Sequence, residues 1–387
     1  MTRHHEDIRT LSSFKFTRYA TGTSLMNDCS LNDHLLRDAD AVIDGLGEQN
    51  QRFDGKTILL TGAAGFLGAH FLHYFHRLNE RGVLSNHCKV TGWDNFIRGT
   101  PRWLTSLQAQ TNSIQILERD IVNDTDFVEP DYIIHAASIA SPLYYRKHPL
   151  KTLDANVTGL RNLLELTRRI SVTSMLSFST SEIYGDPDPG AIPTPETYRG
   201  FVSSLGPRAC YDESKRFGET LCVVFHREFE TPIKIVRPFN NYGPGLKLTD
   251  RRVIPDFFRN ILQHEPLTLL SDGAATRTFC YISDAIEGYI RVLLSSHNGE
   301  AFNIGNDQPE ISMLELARLT VKISDSNSEV IHQTSSDPAY LEDNPQRRCP
   351  DLTKSKDLLG YAPRIGLEEG LLRTLAYYQD HVQSTED

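Results

Sequence analysis

The pattern of hydrophobic positions changes at Lys56, where short apolar runs begin to alternate with segments of helical periodicity. The apolar runs predict strands at KTILLTG, KVTGWD, SIQILERD, YIIHAAS, SMLSFST and IKIVRPF. Apolar residues at helical spacing predict helices over residues 66–81, 151–169 and 211–230. Strands that alternate with helices predict a parallel sheet covered by helices on both faces. The sequence therefore predicts a doubly wound α/β fold.

The segment before this region, residues 1–54, has a different pattern. Its first thirty residues are polar and show no period, whereas residues 31–47 predict an amphipathic helix. Apolar side chains recur on one side of that helix at Leu31, Leu35, Val42 and Leu46. The other side carries charged residues, namely Asp33, Arg37, Asp38, Asp40 and Asp44. Because an apolar stripe must be covered, we expect this helix to pack either on the chain's own core or on a second subunit.

After the sixth predicted strand the alternation ends and the predicted elements become shorter. A further strand is predicted at residues 301–304 and a helix near residues 313–321. We expect residues 241–387 to form mainly a smaller substrate-binding lobe, from which the segment near residues 279–305 returns to the sheet.

Composition limits the partners and the location of the protein. The 387 residues carry a formal net charge of −10, which disfavours nucleic-acid binding because phosphates require a basic surface. No apolar run reaches the ~18 residues of a membrane span, and the N-terminus MTRHHEDIRT lacks the apolar core of a signal peptide. The six cysteines form no CxxC pair, so neither a metal site nor a disulfide framework is predicted. We therefore expect a cytoplasmic protein with reduced thiols and no membrane partner.

A glycine motif follows the first predicted strand and opens the first predicted helix. Gly62, Gly65 and Gly68 form a GxxGxxG pattern that allows a tight turn, close approach of a pyrophosphate and close helix–strand packing. The helix N-terminus offers N–H groups to the phosphates. Asp94 ends the second strand, where a carboxylate bonds the ribose hydroxyls and repels a 2′-phosphate. The sequence thus predicts a Rossmann domain over residues 55–240 that binds NAD rather than NADP.

Tyr211 and Lys215 lie four residues apart on a predicted helix and therefore share one face. An ordinary tyrosine has a pKa near ~10, but a nearby ammonium and the positive charge of oxidised NAD both favour the phenolate. The strand that ends at Thr180 brings a hydroxyl to the sheet edge where ligands bind in doubly wound folds. Tyr211 is therefore a candidate base for the oxidation of an alcohol whose oxygen also bonds Thr180.

Glu182 follows Thr180 by two residues and belongs to the same predicted edge. Oxidation of an alcohol alone requires no carboxylate at this place. Its presence indicates proton handling, or electrostatic pressure, at the carbon next to the oxidised one.

At these residues the chain resembles the extended short-chain dehydrogenases, and most closely the UDP-glucuronate decarboxylases. The resemblance extends from about Lys56 to about Tyr378. Its most specific stretches are STSEIYGDP (179–187), GPRACYDESKRFGET (206–220), RPFNNYGP (237–244) and NPQRRCPDLTKSKDLLGY (344–361). The resemblance implies NAD as cofactor, a UDP-sugar as substrate and a homodimer formed through helices 151–169 and 211–230.

The resemblance also implies roles for individual residues. Thr180, Tyr211 and Lys215 match the residues that oxidise the sugar, while Glu182 and Arg277 match those that promote loss of its carboxylate. Further substrate contacts are implied at Ser138, Tyr145, Ser181, Asn240, Arg252 and Arg348. Beyond the three glycines, Tyr211 and Lys215, cofactor contacts are implied at Phe66, Leu67, Asp94, Asn95, Asp120, Ile121 and Ala136. No residue is assigned to a metal.

The implied reaction oxidises C4 of UDP-glucuronate, releases C6 as CO2 from the resulting β-keto acid and returns the hydride, so that NAD is recycled. The chain departs from the family at Leu270-Ser271, where Tyr-Gly is usual, and at Ile139, where a proline is usual. These departures bear on the sugar and the base of the substrate more than on the reaction class. A 4,6-dehydratase of a sugar nucleotide, which would use Glu182 as a base at C5, and a 4-epimerase are alternatives on the same scaffold. A non-catalytic NAD-binding scaffold is a further alternative, although such a protein is expected to lack one of the oxidising residues.

Overall fold

The computed structural model of the protein describes residues 25–126, 128–334 and 343–382. Six parallel strands follow one another along the first part of the sheet domain, each close to its predicted place. They are β1 (Thr57–Thr61), β2 (Lys89–Asp94), β3 (Ile114–Glu118), β4 (Tyr132–His135), β5 (Ser174–Phe178) and β6 (Ile233–Pro238). The prediction of a parallel sheet is confirmed.

Helices connect these strands on both faces of the sheet. They are α1 (Leu25–Leu46), α2 (Phe66–Glu80), α3 (Arg102–Gln110), α4 (Pro142–Lys147), α5 (Pro149–Asp154), α6 (Leu160–Thr167) and α7 (Ala209–Phe229). The helix predicted over residues 151–169 is divided into α5 and α6 by a π-helical turn at Ala155–Gly159. Within that turn Asn156 accepts a hydrogen bond from Ser138 and donates one to Ser214 of α7. The side-chain amide of Asn156, which is buried, therefore has hydrogen-bond partners on both sides of the π-helical turn.

In the remaining part of the chain the strands are shorter, as predicted, whereas the predicted shortening of the helices is wrong, since two of them have 13 and 16 residues. The strands are β7 (Asn241–Tyr242), β8 (Leu267–Leu269), β9 (Thr276–Arg277), β10 (Cys280–Tyr281), β11 (Ala301–Ile304), β12 (Ile311–Ser312), β13 (Val330–His332) and β14 (Arg347–Arg348). The helices are α8 (Val253–Leu262), α9 (Ile282–Leu294), α10 (Met313–Ile323), α11 (Thr353–Leu359) and α12 (Leu367–Val382).

The seventh strand of the main sheet comes from this later part of the chain. β11 pairs with β6 in parallel, and the strand order is β11-β6-β5-β4-β1-β2-β3. Two-residue strands bring Arg277 and Arg348 side by side, since β9 pairs with β14. The chain after β6 therefore adds one strand to the main sheet and forms small separate sheets of its own.

Successive residues of each main strand point to opposite faces, and both faces are buried. On one face Ile58 and Leu60 join the larger hydrophobic core with α1, α2, α9 and α12. On the other face Leu59 packs with Leu163 and Phe225 in a smaller core under α6 and α7. This two-sided burial explains why the strands are nearly continuous apolar runs. None of the helices in the described ranges is long and apolar enough to cross a bilayer.

The predicted N-terminal helix forms, but it begins at Leu25 rather than at residue 31. Leu35, Val42 and Leu46 are at most 3% exposed, while the side chain of Leu31 lies outside the described residues. The stripe packs on the chain's own core, against α2, α9 and α12. The assignment of Asp38 to the polar side is wrong, because this carboxylate is buried and accepts hydrogen bonds from the Tyr281 hydroxyl.

Candidate active site

The loop between β1 and α2 contains glycines that have no room for a side chain. Gly62 has a φ of 74°, and a Cβ there would lie 2.7 Å from the backbone nitrogen of Ala137. A Cβ on Gly68 would lie 2.4 Å from the carbonyl oxygen of Gly62. α2 begins directly after Gly65, so its first N–H groups, which have no partner within the helix, lie beside the loop. This cradle fits the pyrophosphate of a dinucleotide.

Asp94 is bound to the glycine loop. One carboxylate oxygen accepts the N–H of Ala64 at 2.9 Å, and the other accepts the N–H of Phe96 at 2.8 Å. Burial raises the pKa of Asp94, which these two backbone hydrogen bonds counteract. The carboxylate therefore connects the end of β2 to the glycine loop.

A cavity of about 450 Å³ extends from the glycine loop to the end of β5. Many of the predicted site residues line it. On the cofactor side these are Gly62, Gly65, Phe66, Leu67, Gly68 and Ala136. On the substrate side they are Ser138, Tyr145, Thr180, Ser181, Glu182, Tyr211, Lys215, Asn240, Arg252 and Arg348.

The cavity lining does not include five other predicted residues, namely Asp94, Asn95, Asp120, Ile121 and Arg277. The first four gather where β2 and β3 end, and Asn95 donates a hydrogen bond to Asp120 at 3.3 Å. The positions at which the chain departs from its family, Ile139 and Leu270-Ser271, do not line the cavity either. Differences there therefore act on the reacting groups only indirectly.

Tyr211, Thr180 and Lys215 come together as predicted at the end of β5. The Tyr211 and Thr180 side chains both line the cavity. Burial raises the pKa of Tyr211 to about 12, although the Thr180 hydroxyl opposes the rise. Lys215 Nζ donates to the carbonyl oxygen of Phe178 at 2.7 Å and lies 5.9 Å from the centre of the Tyr211 ring. Burial lowers the pKa of Lys215 to about 8.

Tyr145 from α4 holds the ring of Tyr211. The two rings are stacked, with centroids 5.1 Å apart and planes 7° from parallel. The Tyr145 hydroxyl is buried and has no hydrogen-bond partner among the described residues. A stacked ring on one side fixes the face that Tyr211 presents to the cavity.

Glu182 is held between two arginines. Its two carboxylate oxygens accept hydrogen bonds from Arg348 at 2.6 and 2.5 Å, and Arg208 binds one of the same oxygens. Burial on its own raises the pKa of Glu182, but Arg208 and Arg348 outweigh burial and lower it to about 2. The carboxylate is therefore ionised at neutral pH and already paired.

Arg277 lies close to this cluster, but it does not line the cavity. It donates to the carbonyl oxygens of Thr276, Pro345 and Gln346 at 2.7, 2.5 and 3.2 Å. Burial and the neighbouring Arg348 lower the pKa of Arg277 to about 9. In this structure Arg277 acts on Glu182 through its charge and on the segment 344–346 through its hydrogen bonds.

Arg208 and Asp212 also belong to this cluster, although neither was predicted as a site residue. Arg208 lines the cavity, and its Nε lies 3.5 Å from the buried carboxylate of Asp212. Burial and the charge of Glu182 raise the pKa of Asp212 to about 7. Both residues belong to the GPRACYDESKRFGET stretch, and this stretch was the only indication in the sequence that they belong to the site. A linear motif does not show, however, that Arg208 reaches Glu182.

Asn240 and Arg252 approach the cavity from the segment that follows β6. Asn240 has a φ of 42° and donates to the carbonyl oxygen of Thr278 at 2.8 Å. Arg252 pairs with the buried Asp250 at 3.0 Å, and Arg98 binds the other oxygen of Asp250 at 2.9 Å. Two cations thus share one carboxylate at this end, leaving positive charge for an anionic ligand.

Comparisons with known proteins show to which family the chain belongs. The sequence profile described as "NAD dependent epimerase/dehydratase family" matches residues 58–305. UDP-glucuronic acid decarboxylase 1 of Xenopus tropicalis is 38% identical over 330 residues, which are 85% of this chain and 74% of that protein. UDP-glucuronic acid decarboxylase 2 of Arabidopsis thaliana is 39% identical over 317 residues, which are 82% of this chain and 67% of that protein.

A solved structure has the same fold as this chain. The UDP-glucuronic acid 4-epimerase from Bacillus cereus, in complex with UDP-glucuronic acid and NAD, is 28% identical and superposes with a TM-score of 0.71. The match covers 84% of this chain and 99% of that one. The matched profile contains the glycine cradle, Tyr211 and Lys215. The chain therefore belongs to the NAD dependent epimerase/dehydratase family, and NAD is its cofactor.

Proposed function

We propose that the protein converts UDP-glucuronate to UDP-xylose and CO2, with NAD recycled within each turnover. The observation that carries this proposal is the 38% identity to a UDP-glucuronic acid decarboxylase over 85% of the chain. The aligned extent is long enough to hold all the predicted catalytic residues. The paired carboxylate at Glu182, beside the base Tyr211, supports a reaction that needs more than alcohol oxidation.

The residues of this site divide the reaction between them. Bound NAD supplies the hydride acceptor and donor for C4 of the sugar. Tyr211 removes the proton of the C4 hydroxyl, and Thr180 bonds the same oxygen. Once C4 is a ketone, the carboxylate at C6 is in the β position and leaves as CO2, its electron pair passing toward the C4 oxygen. A proton then adds at C5.

Glu182 contributes charge and position rather than a proton. Since its pKa is lowered to about 2, it carries no proton to donate at neutral pH. Its carboxylate fixes Arg348 and Arg208 at the end of the cavity that lies beyond Tyr211. Arginines held in place stabilise negative charge that develops on the sugar during loss of CO2.

We further propose that residues 55–240 form the NAD-binding domain and that residues 241–387 hold mainly the nucleotide of the substrate. Asn240 and Arg252 line the cavity and are the proposed UDP contacts, whereas Arg348, which also lines it, is paired with Glu182 and is the proposed contact to the sugar. The cation-rich pairing of Arg252 and Arg98 with Asp250 supports binding of a diphosphate. Asn95, Asp120 and Ile121 are the proposed contacts to the adenosine half of NAD.

A homodimer through α5 to α7 is also proposed. Leu150 is 73% exposed, and Phe217 and Val224 of α7 are 49% and 45% exposed, although all three are apolar. Replacing Phe217 by Glu should shift a dimer toward monomer in sedimentation velocity, whereas Leu358→Glu on α11 should not. A monomeric wild type would remove this proposal. The cytoplasmic location stays a prediction. Free thiols are present at Cys88, Cys210, Cys222, Cys280 and Cys349.

The function is tested by incubating the protein with NAD and a panel of UDP-, dTDP- and GDP-sugars and analysing the products by mass spectrometry. We expect UDP-xylose and CO2 from UDP-glucuronate. The likeness to a 4-epimerase of the same sugar makes UDP-galacturonate without CO2 the second candidate outcome. Turnover of a different sugar nucleotide, with UDP-glucuronate inert, would overturn the proposal.

A further inference from the structure

The part of the cavity that is lined by Glu182, Arg208 and Arg348 has an excess of positive charge. Three guanidinium groups, those of Arg208, Arg277 and Arg348, act on the single carboxylate of Glu182. Two of them, Arg208 and Arg348, line the cavity, as does Glu182 itself. Asp212, and Asp186 beside Arg277, are further carboxylates of the cluster, but neither lines the cavity. A ligand therefore meets a surface on which cations outnumber anions, which is complementary to a second carboxylate.

The two arginines that face the ligand are bound differently. Arg348 uses two nitrogens to hold both oxygens of Glu182, at 2.6 and 2.5 Å. Arg208 reaches only one of those oxygens, through Nη2. Its Nε is buried and makes no hydrogen bond with the described residues, although Asp212 is 3.5 Å away. The Nε of Arg348 is likewise buried without a hydrogen bond among the described residues. The difference lies in the terminal nitrogens: Arg348 uses both on Glu182 and Arg208 uses one, so Arg208 has more of its five N–H donors left for an anionic partner.

The place of Arg208 relative to the base is fixed by the helix. Arg208 is the N-cap residue of α7, three positions before Tyr211. Residues three apart on a helix project from the same side, and Arg208 and Tyr211 both line the cavity. The ring of Tyr145 is stacked on Tyr211, and the charge of Arg208 acts to lower the pKa of Tyr145. The Tyr145 hydroxyl has no hydrogen-bond partner among the described residues.

We propose that Arg208 is the specificity-determining residue that binds the sugar carboxylate of a UDP-uronate, taking it in exchange for its contact with Glu182. Arg348 keeps Glu182 in place during this exchange, since its two hydrogen bonds do not involve Arg208. Arg277 is less suited to the task, because its guanidinium donates to three backbone carbonyls and lies outside the cavity lining. The inference rests on the proposed function only in taking the substrate to be a UDP-uronate.

The test compares dissociation constants for UDP-glucuronate and for UDP, measured by calorimetry on the NAD-loaded protein. Arg208→Gln should weaken UDP-glucuronate binding about 10- to 100-fold, the usual worth of a hydrogen-bonded charge pair, and UDP binding less than about threefold. Arg208→Lys should restore part of the difference. Arg227→Gln removes an exposed charge from the same helix and serves as the matched control, with both constants unchanged.

A second variant tests the exchange itself. Glu182→Gln removes the internal competitor, so UDP-glucuronate should bind several-fold more tightly while UDP does not change. Equal weakening of both ligands by Arg208→Gln, with an unchanged melting temperature, would overturn the inference, as would no weakening of either. Failure of the proposed function is recognised separately: the wild type would bind UDP-glucuronate in an Arg208-dependent manner and yet release no CO2.

Discussion

The two ends of the cavity are built from different materials. The dinucleotide end consists of backbone groups and glycines that are close in sequence, from Gly62 to Gly68. The sugar end consists of charged side chains from distant segments, and Glu182 is 166 positions from its partner Arg348. The dinucleotide end offers phosphates space and backbone N–H groups. The sugar end offers paired charges, and a charged ligand must change that pairing when it binds.

This difference determines what each end can tolerate. Backbone N–H groups at the start of α2 keep their direction whichever side chains surround them, so the dinucleotide end depends mainly on space. The sugar end depends on pairing, because a buried arginine without its carboxylate is costly to maintain. We expect substitutions to separate the two ends, with effects on cofactor affinity at one and on chemistry at the other.

The largest effect is expected for Tyr211→Phe, which removes the base where the two ends meet. CO2 release from UDP-glucuronate should fall by roughly 10²- to 10⁴-fold, the usual contribution of general base catalysis, and no reduced NAD should appear. Stopped-flow absorbance and trapped CO2 measure both steps. Tyr198→Phe, outside the cavity lining, is the matched control. Normal CO2 release by Tyr211→Phe would assign the base elsewhere.

A smaller effect, about 100-fold on CO2 release, is expected for Glu182→Gln. The glutamine keeps the size of the side chain but leaves Arg348 and Arg208 without a negative partner. Because oxidation precedes decarboxylation, the absorbance of reduced NAD should rise and persist. Glu213→Gln, a half-exposed position on α7, is the control. If CO2 release and absorbance both match the wild type, the sugar end does not depend on this carboxylate.

The contrast between the ends also explains which parts were predictable from sequence. Strands such as β1 and β11 are apolar runs whose burial on both faces leaves a local pattern, and the glycine loop is equally local. The reach of Arg208 and Arg348 to Glu182 depends on how β14 and α7 are placed in space, which no spacing encodes. Asp38 was misplaced for the same reason, since its partner Tyr281 is 243 positions away.

At the dinucleotide end we expect Gly68→Ala to weaken NAD binding about 10- to 100-fold, the usual cost of overpacking. Its Cβ would lie 2.4 Å from the backbone oxygen of Gly62, which cannot move without opening the cradle. Calorimetry with NAD and with UDP measures the two ends separately, and UDP affinity should not change. Gly190→Ala adds a methyl group in open space and is the control. Equal losses for NAD and UDP would mean that the ends are not independent.

The smallest effect is expected at Asp94, where space and charge act together. Its carboxylate binds the N–H groups of Ala64 and Phe96, so Asp94→Asn loses one acceptor and should weaken NAD binding slightly by loosening the loop. The ratio of NADP to NAD dissociation constants is insensitive to that loss, because both cofactors use the same loop. Two like charges ~4 Å apart in water cost ~1 kcal/mol, so removal of the carboxylate should reduce the preference for NAD about 5-fold. Asp126→Asn, which is well exposed, should leave the ratio as it is. A wild type that binds both cofactors equally, or a ratio unchanged by Asp94→Asn, would show that this carboxylate only anchors the loop, and charge would then have no part in cofactor choice at this end.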